Sequence, residues 1–164
     1  MDPDMVTAVA AVVVALGSLW VSYTQARDSR RHSRQSVRPM LHMRRVKEYE
    51  GTEAGLNVIN AGLGPAIVTS SVVRLDGEVI GQWDYHTQQR ILGLGLLPTR
   101  PKAHSLRPGA VVLAGQSTFL LSVDEFSDDQ HGWFWDLVTR RLMIEVRYES
   151  LYGGENFVVT PPVF

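Results

Sequence analysis

Cysteine is missing from all 164 residues. That excludes a disulfide framework, thiol catalysis and any zinc or iron–sulfur centre held by thiolates. A large net charge of either sign is also missing, because 16 Lys and Arg stand against 17 Asp and Glu and leave a net charge of -1. No overall attraction to nucleic acid follows, and no nucleic-acid partner is expected. No internal repeat and no low-complexity tract occurs. The five histidines, His32, His42, His86, His104 and His131, are scattered, with no H-E-x-x-H and no pair at helical ligand spacing. Catalytic residues, cofactor and metal are therefore all expected to be none. What is present, 45% hydrophobic residues with 5 Phe, 5 Tyr and 4 Trp, suffices for one domain with a core.

The balanced charge hides a division. Residues 1–47 hold 8 basic and 3 acidic groups, whereas residues 48–164 hold 8 and 14. Met5 to Tyr23 (MVTAVAAVVVALGSLWVSY) runs nineteen residues without a charge. As a helix it spans roughly 28 Å, close to the hydrocarbon thickness of a bilayer. Asp2, Pro3 and Asp4 suit its start, and Trp20 and Tyr23 fall where aromatic rings favour an interface. A cleaved signal peptide would need a basic start, and Asp2 and Asp4 stand there instead.

Residues 24–47 then carry Arg27, Arg30, Arg31, Arg34, Arg38, Arg44, Arg45 and Lys47 against one acid, Asp28. By the positive-inside rule this predicts a single-pass protein of the inner (plasma) membrane, with its N-terminus outside and its C-terminal domain cytoplasmic. Arg27, Arg30, Arg31 and Arg34 are the expected membrane flank on the lipid bilayer. Thr7, Ala11, Ala15, Ser18 and Ser22 share one helical face and offer a seam for a homo-oligomer, although a segment so rich in alanine produces such a pattern by chance. The organisation implied is a transmembrane helix over 1–23, a basic juxtamembrane linker over 24–37 and a β-sandwich domain over 38–164.

The strand signals lie in that last part. Leu142 to Glu149 alternates, with Leu142, Ile144, Val146 and Tyr148 on one face. Val72 to Ile80 reads as a hairpin turning at Asp76-Gly77. Further strands are expected at 40–46, 56–60, 66–75, 110–113, 118–123 and 156–160. Short helices are expected at 84–92, capped by Asp84, and at 129–140, with a proline-rich loop over 98–108 between them. The spacing predicts a mainly β fold, an immunoglobulin-like antiparallel β-sandwich preceded by one N-terminal transmembrane helix.

Asn60-Ala61-Gly62-Leu63-Gly64-Pro65-Ala66 is the most distinctive string. A dinucleotide fingerprint would need a third glycine and a following helix. The string reads instead as a tight connection, with Asn60 bonding backbone groups and Gly62 and Gly64 at positive φ. Together with the apolar N-terminal segment, Arg38-Pro39-Met40-Leu41, Val146-Arg147-Tyr148 and Gly153-Gly154, it resembles a group of uncharacterised bacterial membrane-anchored proteins with a small immunoglobulin-like β-sandwich. The resemblance implies that architecture and supplies neither activity nor site residues.

Three other features are candidates for chemistry. Gly115-Gln116-Ser117-Thr118-Phe119 lacks the closing glycine of a nucleophile elbow. Asp124, Glu125, Asp128, Asp129 and His131 lack the calcium-loop pattern and read as an acidic turn capping a helix. Trp133-Phe134-Trp135 cannot all face one core, so at least one ring is left at a margin. On the plainer reading this helix plugs an open end of the domain. On the functional reading Trp133 and Trp135 form a docking surface for a protein partner, since tryptophan is enriched at binding hot spots.

The function expected is a membrane-anchored binding or scaffold protein, not an enzyme, presenting its cytoplasmic sandwich to that partner. A membrane effector with self-associating spans is the alternative, and an extracytoplasmic sandwich is disfavoured by the basic flank.

Overall fold

The computed structural model describes residues 3–47, 53–93 and 100–162, with the side chains of the first helix described from Val12 to Asp28. The chain divides into two units, Met1–Ser36 and Val37–Phe164.

The first unit is one helix, α1, from Pro3 to Ser36. It does not end where the uncharged run ends at Tyr23. Gln25, Ala26, Arg27, Arg30 and Arg31 are good helix formers, so the stretch expected to be a linker continues the helix. Among the described residues no helix is long and apolar enough to cross a membrane. This corrects the expected transmembrane helix, the inner-membrane single-pass location and the orientation drawn from it. Arg27, expected with Arg30, Arg31 and Arg34 to form a membrane flank, is exposed on α1. The side chains of the last three, like those of Thr7 and Ala11, lie outside the described residues.

The second unit holds nine strands among the described residues, in two antiparallel sheets. The strands are β1 (Leu41–Lys47), β2 (Glu53–Asn60), β3 (Ala66–Leu75), β4 (Glu78–Gly81), β5 (Lys102–Ala103), β6 (Val111–Val112), β7 (Ser117–Asp124), β8 (Leu142–Glu149) and β9 (Phe157–Val159). One sheet runs β1-β2-β7-β5. The other runs β4-β3-β8-β9, with β6 beside the start of β3. Helices α2 (Tyr85–Leu92) and α3 (Asp128–Asp136) interrupt the strands, and α3 passes into a π-helix, Leu137–Arg141. With α1 this makes a mixed α/β chain, which corrects the expected mainly β, immunoglobulin-like sandwich.

The local reasons are visible in the sequence. In β8 the residues Leu142, Ile144, Val146 and Tyr148 are buried while Arg147 is exposed, as alternation requires. The β3–β4 hairpin turns at Asp76 (φ 52°) and Gly77 (φ 87°), the positive pair that a two-residue turn needs. Asp84 caps α2 by accepting from the Thr87 N–H at 2.8 Å. That hydrogen bond holds the Asp84 carboxyl below its usual range. The short β5 falls inside the stretch expected to be loop.

Both sheets and the helices feed one core. Met43, Leu56 and Val58 of the first sheet join Val68, Val73, Ile144 and Val146 of the second, with Trp83, Ile91, Phe134 and Val138. Trp83 is fully buried, and its Nε1 donates to the His104 carbonyl at 2.7 Å. The Leu41 N–H donates to the Tyr148 hydroxyl at 3.1 Å and so ties β1 to β8.

The Asn60 string forms the β2–β3 connection. Asn60 is fully buried. Its Oδ1 accepts from the Met40 and Gly62 N–H groups, and its Nδ2 donates to the Gly64 and Val112 carbonyls. Gly62 and Gly64 are needed for close approach and not for positive φ, contrary to expectation. A Cβ would lie 2.4 Å from the Met40 nitrogen in one case and 1.8 Å from the Val37 oxygen in the other.

Candidate functional site

The end of the second unit where α3 meets the β3–β4 hairpin carries a cleft of about 1060 Å³. Its lining includes Arg45 of β1, Arg74 of β3, Trp135 of α3, Arg140 and Arg141 of the π-helix and Met143 of β8. Several elements and a hairpin turn thus converge on it, and each is brought there by a local cause.

Helix α3 starts at Ser127, whose Oγ accepts from the Gln130 N–H at 3.4 Å. Nδ1 of buried His131 accepts from the Ser127 N–H at 3.1 Å, which makes this nitrogen the unprotonated one. Asp128 and Asp129 fall in the first turn, where carboxylates complement the helix dipole. Phe134 is buried, so the residues on either side of it point away from the core centre. Trp135 is half-buried at the cleft and meets Phe126 edge-on, with ring centroids 5.9 Å apart. The Lys47 ammonium sits 5.2 Å from the Phe126 centroid and 5.5 Å from that of Trp135, within cation–π range.

The π-helix shapes the wall. The Leu142 N–H reaches back five residues to the Leu137 carbonyl. The Val138 carbonyl accepts instead from Arg45 Nε at 2.6 Å, and Arg45 Nη1 also donates to the Pro162 carbonyl. Partial burial pulls the Arg45 guanidinium below its ordinary pKa. Wide turns of this type are uncommon and recur at functional sites.

Arg141 closes the hairpin side. Its Nε and Nη2 donate to the two Asp76 oxygens at 2.8 and 2.6 Å, and its carbonyl accepts from the Asp76 N–H. The hydrogen bond raises the Arg141 pKa and lowers that of Asp76. Arg140 pairs with Asp136, one turn back at 3.3 Å, and its side chain is 82% exposed. Such an exposed pair holds little free energy, which leaves Arg140 able to turn toward another carboxylate.

Of the expected partner residues, the structure places Trp135 on the cleft and Trp133 off it. Trp133 packs partly buried against the core and meets Phe134 at 5.6 Å between centroids. Its buried Nε1 has no hydrogen-bond partner among the described residues. Sequence reasoning counts Arg45 only with the basic stretch 24–47 and does not single out Arg74, Arg140 or Arg141. The adjacent pair Arg140-Arg141 behind the aromatic triplet was the one available signal.

The other features weighed in the sequence have structural partners. Ser117 Oγ donates to Asn57 Oδ1, Asp124 pairs with Lys102 and Asp128 with Lys47. Among the described residues no three His, Asp or Glu side chains are grouped to hold a metal ion.

A domain of unknown function, DUF8453, matches residues 6–160. The chain belongs to the DUF8453 family. The match encloses the Asn60 connection and every cleft residue from Arg45 to Met143, so the DUF8453 domain includes α1 from Val6 onward as well as both sheets. No curated protein matches this DUF8453 chain.

Proposed function

We propose that the two-sheet unit is a binding module without catalysis of its own, which takes a segment of a partner protein in the cleft beside the π-helix. The observation that carries this reading is that half-buried Trp135 and Met143 both line an open cleft of about 1060 Å³ together with four arginines. Tryptophan, methionine and arginine are the side chains enriched at the centres of protein interfaces. A cleft of this size suits a peptide segment, with Trp135 packing an apolar side chain and Arg140 meeting an acidic one. The expected membrane anchoring is no part of this proposal.

The test is selection of a random peptide display library on the full chain, followed by titration of the selected peptides. Trp135→Ala is expected to weaken them about tenfold or more, and Arg140→Glu to weaken the acidic ones. Leu63→Ala, at the exposed tip of the β2–β3 connection, is expected to leave them unchanged. Peptides that bind Trp135→Ala as tightly as the parent chain would sink the proposal.

A further inference from the structure

The described face of α1 carries more exposed apolar surface than a lone helix keeps in water. Val12, Val13, Val14, Leu16, Leu19, Trp20, Val21 and Tyr23 are all more than half exposed. Six of them, Val12, Val13, Leu16, Leu19, Trp20 and Tyr23, share one side of the helix at about 100° per residue, and Val14 and Val21 lie on the other. Val6, Val9, Val13, Leu16, Trp20 and Tyr23 follow one another at spacings of three and four, a heptad pattern sustained over two and a half repeats. In that register Val6, Val13 and Trp20 take position a, and Val9, Leu16 and Tyr23 take position d. Val12 and Leu19 flank the same side.

The small residues Ala11, Ala15, Ser18 and Ser22 fall on the opposite side at about 100° per residue. The seam stops at Arg27, where the next a position becomes charged.

We infer that α1 pairs in parallel with α1 of a second copy of this chain through the seam from Val6 to Tyr23. A 3.5-residue repeat is self-complementary, because each a and d side chain fits a hole between the same residues of the facing helix. The central repeat, Val13 at a with Leu16 at d, has the pairing that favours two parallel strands. Val12, Val13, Leu16, Leu19, Trp20 and Tyr23 present on the order of 500 Å² of apolar surface. That is close to the roughly 600 Å² which the smallest stable interfaces take from each partner. Pairing also brings two clefts into one assembly, so a partner with two binding segments would gain effective concentration.

Because the chain has no cysteine, single-cysteine variants report the contact directly. Leu16→Cys in the full chain, treated with a mild oxidant, is expected to give a covalent dimer, and Ser18→Cys is expected to stay monomeric. Sedimentation of the parent chain between about 1 and 100 µM is expected to show a mass above 18.3 kDa. Leu16→Glu with Trp20→Glu is expected to shift that association at least tenfold to higher concentration, whereas Ser18→Glu is not. Equal cross-linking at positions 16 and 18, or at neither, would overturn the inference. So would a parent chain that stays monomeric at 100 µM, including one that sediments only with phosphatidylcholine vesicles.

Discussion

The two ends of the two-sheet unit are built on different terms. At the β2–β3 end, Asn60 makes four hydrogen bonds to backbone groups, and two glycines let the chain entering at Val37–Met40 pass within contact distance. At the α3 end a helix widens into a π turn, a tryptophan Nε1 is buried without a partner among the described residues and a cleft opens among side chains of five elements. The first arrangement leaves no polar group to spare and has one solution. The second includes ion pairs between exposed side chains, Arg140 with Asp136 and Arg141 with Asp76. A glycine-rich string attracts functional readings by its composition, yet here it secures the fold, and the site proposed for binding lies at the irregular helix.

Four substitutions or conditions sharpen this contrast, from the largest effect to the smallest. Asn60→Ala strands the Met40 and Gly62 N–H groups and the Gly64 and Val112 carbonyls inside the protein. It is expected to cost about 3–4 kcal/mol, read as the shift of a urea unfolding midpoint. Gly64→Ala places a Cβ against the Val37 carbonyl and is expected to cost about 2–3 kcal/mol in the same measurement. If either change were silent, the rigid end would not be rigid.

Arg45→Met removes the donors to the Val138 and Pro162 carbonyls. About 1–2 kcal/mol is expected, with faster amide exchange confined to residues 137–142. Exchange that rises evenly over both sheets would contradict the local role of Arg45. The least effect is expected from acid. The Asp76 and Asp84 carboxyls are held below their ordinary value of 3.8 by Arg141 and by the Thr87 N–H respectively. Their contributions are therefore fully present above that value and are lost as the pH falls through the depressed folded values. Asp84→Asn should flatten the fall of stability below the ordinary carboxyl value of 3.8, by a small amount because the group is only half-buried.

Much of the fold was legible because its signals are local. Alternation placed β8 at Leu142–Glu149, Asp76-Gly77 placed the hairpin and Asp84 placed α2. Other features depend on what the chain meets elsewhere. Counting uncharged residues from Met5 to Tyr23 implies a span, but helix propensity carries α1 on through Arg27, Arg30, Arg31 and Arg34 to Ser36. Gly62 and Gly64 suggest positive φ, whereas their role is set by Arg38 and Val37, which approach from more than twenty residues away. The π turn has no sequence signature of its own. The cleft arginines lie apart along the chain, from Arg45 to Arg141, and only strand register brings them together. The aromatic triplet lies on the helix that borders the cleft, where Trp135 lines it and Trp133 does not.

The most direct test of the central claim is hydrogen–deuterium exchange of the full chain with and without a peptide selected on it. The account predicts protection at residues 132–143 and around Asp76-Gly77, with none at 60–66 or 113–116. Protection at the Asn60 connection with none at the π-helix would contradict it and exchange the roles of the two ends.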